Sequence, residues 1–320
     1  MAWLFRGQGL LSLDFAHQSS KAKGKMKIIR IILWTFNHGV LNLFYRIRHR
    51  NLFEVALDYK FISKGSSITD SSELETYASL CGIAARDSQI FNKFRSAKVM
   101  VEALDHVSIE QAKNYRDEIL KHGPWRQEFS EALRHIDSIG SPRKFHFKGL
   151  GTYSPTLFRY LKVYLDLKTL FGPLESFNFA EIGIGFGGQA SVIHLLNKPI
   201  SYHLYDIPPV LDLTSRFLET LKIEGGFNFN DGRNPNAFEP DLTISNYAFS
   251  ELTPEIQKEY LQCLILNSPR GYITWNSLSA DRLGGYSLGE ILRLIPHSQI
   301  LAEEPNTAKS NAIIVWGMKQ

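Results

Sequence analysis

The densest chemical signal in the sequence is the run Phe179-Ala-Glu-Ile-Gly-Ile-Gly-Phe-Gly-Gly-Gln189. Gly183, Gly185 and Gly187 stand here between a stretch that reads as a strand and one that reads as a helix. Residues without a Cβ let the backbone turn sharply and lie against a ligand. The helix that follows adds N–H groups with no partner of their own. Asp206 ends the next strand-like stretch, Tyr202 to Asp206, where a carboxylate accepts the hydroxyls of a ribose in nucleotide-binding sheets. This combination points to a nucleotide-like ligand, with the glycines alone leaving its kind open. Gly183, Gly185 and Gly188 also satisfy the dinucleotide pattern G-x-G-x-x-G.

Three further features favour S-adenosylmethionine over a nicotinamide dinucleotide. Glu181 puts an acid at the opening of the turn, where dinucleotide folds carry an apolar residue. Asp231 follows the third strand, within reach of an adenine amino group. The chain also closes on a predicted hairpin from 299 to 317, which matches the reversed last strand of methyltransferase sheets. A Tyr-x-x-x-Lys pair would support an oxidoreductase or epimerase. The match in the catalytic half, Tyr164-Leu-Asp-Leu-Lys168, precedes the glycine loop and so stands in the wrong order. A non-catalytic binding protein built on the same fold is the third reading.

Methyl transfer from a sulfonium is an in-line displacement, and the protein's part is to align the acceptor, exclude water and remove a proton. A neutral hydroxyl is a poor nucleophile, so a positioned base is expected. The segment from Asn246 to Glu251 follows the fourth strand, at the sheet edge where ligands bind in this architecture. Glu251 is the first candidate for the base; its other reading is an acid favouring the dipole of the helix that starts at Pro254. Tyr247 is a candidate for the acceptor pocket, and Asn246 and Asn276 end neighbouring strands where they can orient hydroxyls. No His, Asp and Glu cluster has metal-ligand spacing, so no metal is expected.

The elements that must position these residues form an alternating series. Predicted strands cover 177–183, 200–205, 226–230, 241–246, 271–276, 299–303 and 311–317, with helices between most of them. Such alternation implies an α/β fold, a doubly wound and mostly parallel Rossmann-like sheet that ends in an antiparallel hairpin. Ser154-Pro155 reads as the start of a helix that runs to Phe171. Upstream, residues 51–140 read as helices: one from Asp87 or Ser88 to Asp105, one after the capping pair Ser108 and Gln111, and one from Pro124 to Ile139. The stretch 140–151 reads as a linker. Three segments are therefore expected: a basic amphipathic N-terminal piece at 1–50, a helical cover for the acceptor site at 51–148, and the cofactor-binding domain at 149–320.

Composition narrows the function classes. A chain of 320 residues, 44% hydrophobic and 21% charged, buries a large core and suits a soluble enzyme. The formal charge of +4 comes without basic runs interleaved with aromatics, so nucleic acid is not an expected partner. Cys81 and Cys263 fit no metal or redox spacing, which favours a reduced, cytoplasmic protein. Lys21, Lys23, Lys25 and Lys27 precede an apolar stretch in which Ile29, Ile32, Leu33 and Phe36 recur at helical spacing. Arg30, Asn37, His38 and Arg46 interrupt it and argue against a spanning helix. An amphipathic helix there either packs on the body or lies at the inner face of a membrane through residues 21–50.

Several ordered motifs resemble a group of bacterial proteins assigned as sugar O-methyltransferases. They are Gly151-Thr-Tyr-Ser-Pro-Thr-Leu-Phe-Arg-Tyr160, the glycine loop from Glu181 to Gln189, Tyr205-Asp-Ile-Pro208, the stretch Asp241 to Glu251, and Arg270-Gly-Tyr-Ile-Thr-Trp-Asn276. The resemblance covers roughly 149–317, is looser over 91–115 and is absent before about 51. Ile184-Gly-Phe186 departs from the Gly-Gly-Tyr expected there. The resemblance implies S-adenosylmethionine as cofactor, held by Glu181, Gly183, Gly185, Gly187, Gln189, Asp206, Asp231 and Asn246. It further implies that Tyr153, Ser154 and Arg159 meet the methionine end, Arg159 through the carboxylate. The implied acceptor is a sugar or glycan of a surface polysaccharide or lipopolysaccharide pathway. Neither the sugar nor the oligomeric state follows from these residues.

Overall fold

The structure is a computed structural model that describes residues 75–223, 225–277 and 284–319. All of them fall in one compact unit. The amphipathic reading of 1–50 lies outside the described residues. Among those described, no helix is long and apolar enough to cross a membrane.

A seven-stranded sheet organises the chain. Its strands are β3 (Asn178–Ile182), β4 (Ser201–Asp206), β5 (Phe227–Asp231), β6 (Leu242–Asn246), β7 (Gly271–Trp275), β8 (Gln299–Ala302) and β9 (Ala312–Trp316). They lie in the order β5-β4-β3-β6-β7-β9-β8. β3 to β7 are parallel, while β9 runs antiparallel between β7 and β8. This is the Rossmann-like α/β fold expected from the alternation, with its reversed final strand. Strands β7 and β9 are buried at every residue and are predominantly apolar, β9 wholly so, as befits strands covered on both faces. Edge strand β5 alternates Asn with Phe and is half exposed.

The order reverses at β3, which pairs with β4 on one side and β6 on the other. Right-handed crossovers in opposite directions put helices on opposite faces and open a crevice at the carboxyl ends of these strands. Between β3 and β5 the crossovers are α7 (Gly188–Asn197) and α8 (Pro208–Thr220). The next crossover contains α9 (Pro254–Tyr260), continued by a π-helical turn over Leu261–Ile265. Leu264 of that turn forms one core cluster with Ala180, Ile182, Ile273, Trp275 and Ile314 of the sheet.

The helical region packs on the other layer. Its helices are α1 (Glu75–Ala84), α2 (Ser88–Phe91), α3 (Lys98–Ala103), α4 (Ile109–Lys121) and α5 (Gln127–Ile136), followed by α6 (Thr156–Phe171). α1 packs on α8, α5 and α6 on α7, and α4 on α6. The Ser108–Gln111 capping box forms as expected at the start of α4.

Four local readings are corrected. The single helix expected over 88–105 breaks into α2, a 3-10 turn at Phe94–Ser96 and α3, because Phe94 and Arg95 turn into the core. The helix expected from Pro124 starts only at Gln127. Ser154 does not cap α6; its hydroxyl is used elsewhere, as described below. The supposed linker contains a small hairpin, β1 (Phe145–Phe147) with β2 (Gly151–Tyr153). Phe147 anchors it by packing on Phe158, with ring centroids 4.5 Å apart.

Candidate functional site

A cavity of about 650 Å³ opens at the carboxyl ends of the central strands. Its floor is the exit from β3. Gly183 has φ +75°, and a Cβ there would stand 2.0 Å from the Cβ of Ala248, just after β6. Gly185 has φ +55°, and a Cβ there would meet Leu104 at 2.8 Å. Conformation favours glycine at both positions, and at Gly183 space requires it as well, since Ala248 Cβ is fixed to the backbone. Asp206 closes β4 beside them, its carboxylate accepting the backbone N–H groups of Gly185 at 3.2 Å and Ile207 at 2.8 Å.

Above this floor lie buried polar groups with unused capacity. Both side-chain polar atoms of Asn246 are buried without a partner. Arg159 is 8% exposed, lines the cavity, and has no carboxylate within ion-pair distance among the described residues. Its Nη2 donates to the Leu104 carbonyl at 3.1 Å and its Nη1 lies 3.5 Å from His106 Nε2, while Nε is buried and unpaired. Burial, reinforced by the Arg159 charge, pushes the His106 imidazole down to about 4. It is neutral at physiological pH. Buried donors that find no partner carry a desolvation penalty, so such a set marks a place where a ligand completes the hydrogen bonding.

At the other end, Tyr247 leaves β6 with φ 68° and ψ −32°, a strained conformation for a non-glycine residue. Its hydroxyl donates to Glu303, a 5% exposed carboxylate that also accepts from the Thr307 N–H at 2.8 Å and hydroxyl at 2.7 Å. Burial, with Tyr115 and Glu303 nearby, raises the Tyr247 hydroxyl far above the usual tyrosine range. Asn311 donates to Thr307 at 2.9 Å and leaves its own carbonyl oxygen unpaired at the cavity. Glu251 lines the same wall and accepts from the Asn276 amide at 3.3 Å.

The structure thus brings Arg159, Gly183, Gly185, Asp206, Asn246, Tyr247 and Glu251 to one cavity. It places six other residues named from the sequence off its wall. Tyr153 donates to the Leu150 carbonyl at 3.0 Å, and Ser154 donates to Asp137 at 2.7 Å. Gly187 makes room for Thr214, and Gln189 donates to the Tyr160 carbonyl at 3.1 Å. Glu181 is buried on β3, where it accepts from the Tyr202 hydroxyl at 2.7 Å, and burial raises it to about 8. Asp231 sits at the end of β5 and is held by the Arg233 guanidinium at 2.7 and 3.0 Å, which lowers its carboxyl. Its neighbours Gly232 and Arg233 do reach the wall.

Sequence reasoning missed Leu104, His106, Tyr115, Glu303, Thr307 and Asn311. All lie in the helical region or the last loop, and none belongs to a motif with its own spacing. Only the fold brings them to the strand ends. Among the described residues no group of three His, Cys, Asp or Glu is placed to hold a metal.

No protein-family model matches the chain, and no curated protein does. Among solved structures it is similar to a protein of Pyrococcus horikoshii OT3, at 14% identity over 45% of this chain and 82% of that one, with a TM-score of 0.35. It is similar to a Thermoplasma acidophilum protein at 13% identity over 61% of this chain and 98% of that one, with a TM-score of 0.37. A tRNA methyltransferase of B. subtilis matches at 16% identity over 44% of this chain and 59% of its own, with a TM-score of 0.31. None of the three is similar enough to carry chemistry across to this chain.

Proposed function

We propose that the chain is an S-adenosylmethionine-dependent O-methyltransferase acting on a sugar or glycan hydroxyl in a surface-polysaccharide or lipopolysaccharide pathway. The observation that carries the cofactor assignment is the set of unsatisfied buried groups, Arg159 Nε and the Asn246 amide, beside a glycine cradle and Asp206. These residues fit the molecule's parts. Asp206 suits the ribose hydroxyls, the turn at Gly183 and Gly185 presents backbone to the cavity beside it, and Arg159 suits a carboxylate. Gly232 and Arg233, which reach the wall beside Asp206, suit the adenine side. When bound, S-adenosylmethionine supplies an electrophilic methyl group on a sulfonium.

The chain's own work is then to orient and deprotonate. Tyr247, braced by Glu303, holds the acceptor hydroxyl against the end of β6. Glu251, on the same wall and steadied by Asn276, takes its proton. The helical region, through Tyr115 beside Tyr247, covers the acceptor end and keeps water out. Neutral hydrogen-bonding groups dominate that end, namely Gln111, Tyr115, Asn276, Thr307 and Asn311, which suits a polyhydroxylated acceptor.

The test is transfer of radiolabelled methyl from S-adenosylmethionine to a panel of polysaccharides, lipopolysaccharides and RNA. Alkali-stable label in a glycan, lost in Glu251→Gln, supports the reading. Label in RNA alone overturns the acceptor assignment.

A further inference from the structure

Arg95 is fully buried and belongs to no motif, yet it joins three elements that face the cavity. Its Nε and Nη2 donate to the two oxygens of Asp105 at 2.9 and 3.3 Å. Its Nη1 donates to Asp137 at 3.1 Å and its Nη2 to the Ser154 hydroxyl at 3.0 Å. Ser154 in turn donates its hydroxyl and its backbone N–H to Asp137, at 2.7 and 2.6 Å. The Arg95 guanidinium also lies 4.6 Å from the ring centre of Phe186.

Each partner leads to the same place. Asp105 stands between Leu104, whose carbonyl holds Arg159 Nη2, and His106, which adjoins Arg159 Nη1. Ser154 stands one residue before Pro155, the N-cap of α6, the helix that carries Arg159. Phe186 sits inside the glycine loop, between Gly185 and Gly187. Stability alone does not call for this arrangement. Buried ion clusters are commonly matched or bettered by apolar packing, whereas they fix geometry well.

We propose that Arg95 is a positioning residue for the amino-acid end of the cofactor. Through Asp105, Ser154 and Phe186 it sets the loop 104–107, the start of α6 and the glycine loop in the one arrangement that aims Arg159 at a carboxylate. This rests on the methyltransferase reading. It also gives Ser154 a part in cofactor binding at one remove.

The test compares S-adenosylhomocysteine with 5′-methylthioadenosine, which shares the thioadenosine but lacks the amino-acid end. Both are titrated calorimetrically into wild type, Arg95→Lys and Asp105→Asn, with circular dichroism and thermal melting as fold controls. The proposal expects S-adenosylhomocysteine to weaken about tenfold in folded variants while 5′-methylthioadenosine stays within about twofold. Equal weakening of both ligands, or no weakening of either, overturns it and leaves Arg95 a stabilising residue only. If neither variant folds, hydrogen exchange in the wild type decides. Protection of amides 104–107 by S-adenosylhomocysteine and not by 5′-methylthioadenosine is expected, and equal protection or none overturns the proposal. Wild type that binds neither ligand refutes the methyltransferase reading itself, a result visible without any variant.

Discussion

Replacing Gly183 by Ala tests whether the exit of β3 has to lie directly against the exit of β6. The new Cβ would stand 2.0 Å from the Cβ of Ala248, an atom fixed to the backbone that no rotamer change can remove. The φ of +75° adds the left-handed penalty of a residue with a side chain. That penalty is about 1–2 kcal/mol, and overpacking adds about 1–3 kcal/mol, so a loss of roughly 2–5 kcal/mol is expected. Out of a typical total of about 5–15 kcal/mol the variant should still fold. Ala248→Gly removes the atom that is struck and by itself costs about 1 kcal/mol or less. In the double variant the overpacking part disappears and the backbone part stays. Urea unfolding of the four proteins therefore gives a coupling energy of about 1–3 kcal/mol that favours the pair. Additive losses, or a Gly183→Ala protein as stable as wild type, would refute the close approach on which the cavity floor depends.

Three other outcomes follow from the buried charges. The folded Glu181 carboxyl is raised to about 8 from 4.5, so the folded state keeps a proton that the unfolded state loses as pH rises through this window. Stability from this group is present below about 4.5 and lost by about 8, and Glu181→Gln should gain on the order of 5 kcal/mol over wild type at pH 9 in urea unfolding, with no gain at pH 4. His106 has the opposite sign: its folded value of about 4 lies below 6.5, so its contribution is present above about 6.5 and lost as pH falls towards 4. His106→Asn should remove about 2–3 kcal/mol of that acid-side loss, measured by the same unfolding series. Arg159→Met should weaken S-adenosylhomocysteine by roughly 30–150-fold, the worth of about 2–3 kcal/mol for a charged hydrogen-bonded contact, in calorimetric titration. An unchanged affinity would remove Arg159 from the carboxylate.

The sheet was legible because its strands carry a local signature. Short strand-like stretches at 179–182, 242–245 and 312–316, the last of them wholly apolar, alternate with helices that start at Pro208 and Pro254, and this pattern needs no tertiary information. Gly183, Gly185 and Asp206 were legible for the same reason, since a turn with φ above zero and an acid at a strand end are sequence-local requirements. The misplaced details are tertiary. Whether Ser154 caps α6 depended on Asp137 competing for its hydroxyl, and nothing near Ser154 announces that partner. The reading of 88–105 as one helix followed local propensity, which gave way to the burial of Phe94 and Arg95. The hairpin at 145–153 was hidden by its Lys and Gly content and by Pro142 just before it, and it forms because Phe147 finds Phe158. On the acceptor side, Glu303 and Thr307 reach Tyr247 only because β9 returns between β7 and β8.

The central claim is the cofactor, and calorimetric titration with S-adenosylhomocysteine tests it most directly, with NAD and NADP as controls and Asp206→Ala alongside. The account predicts saturable binding of S-adenosylhomocysteine alone, abolished or strongly weakened in the variant. Binding of a nicotinamide nucleotide in its place, or of no ligand at all, would contradict it.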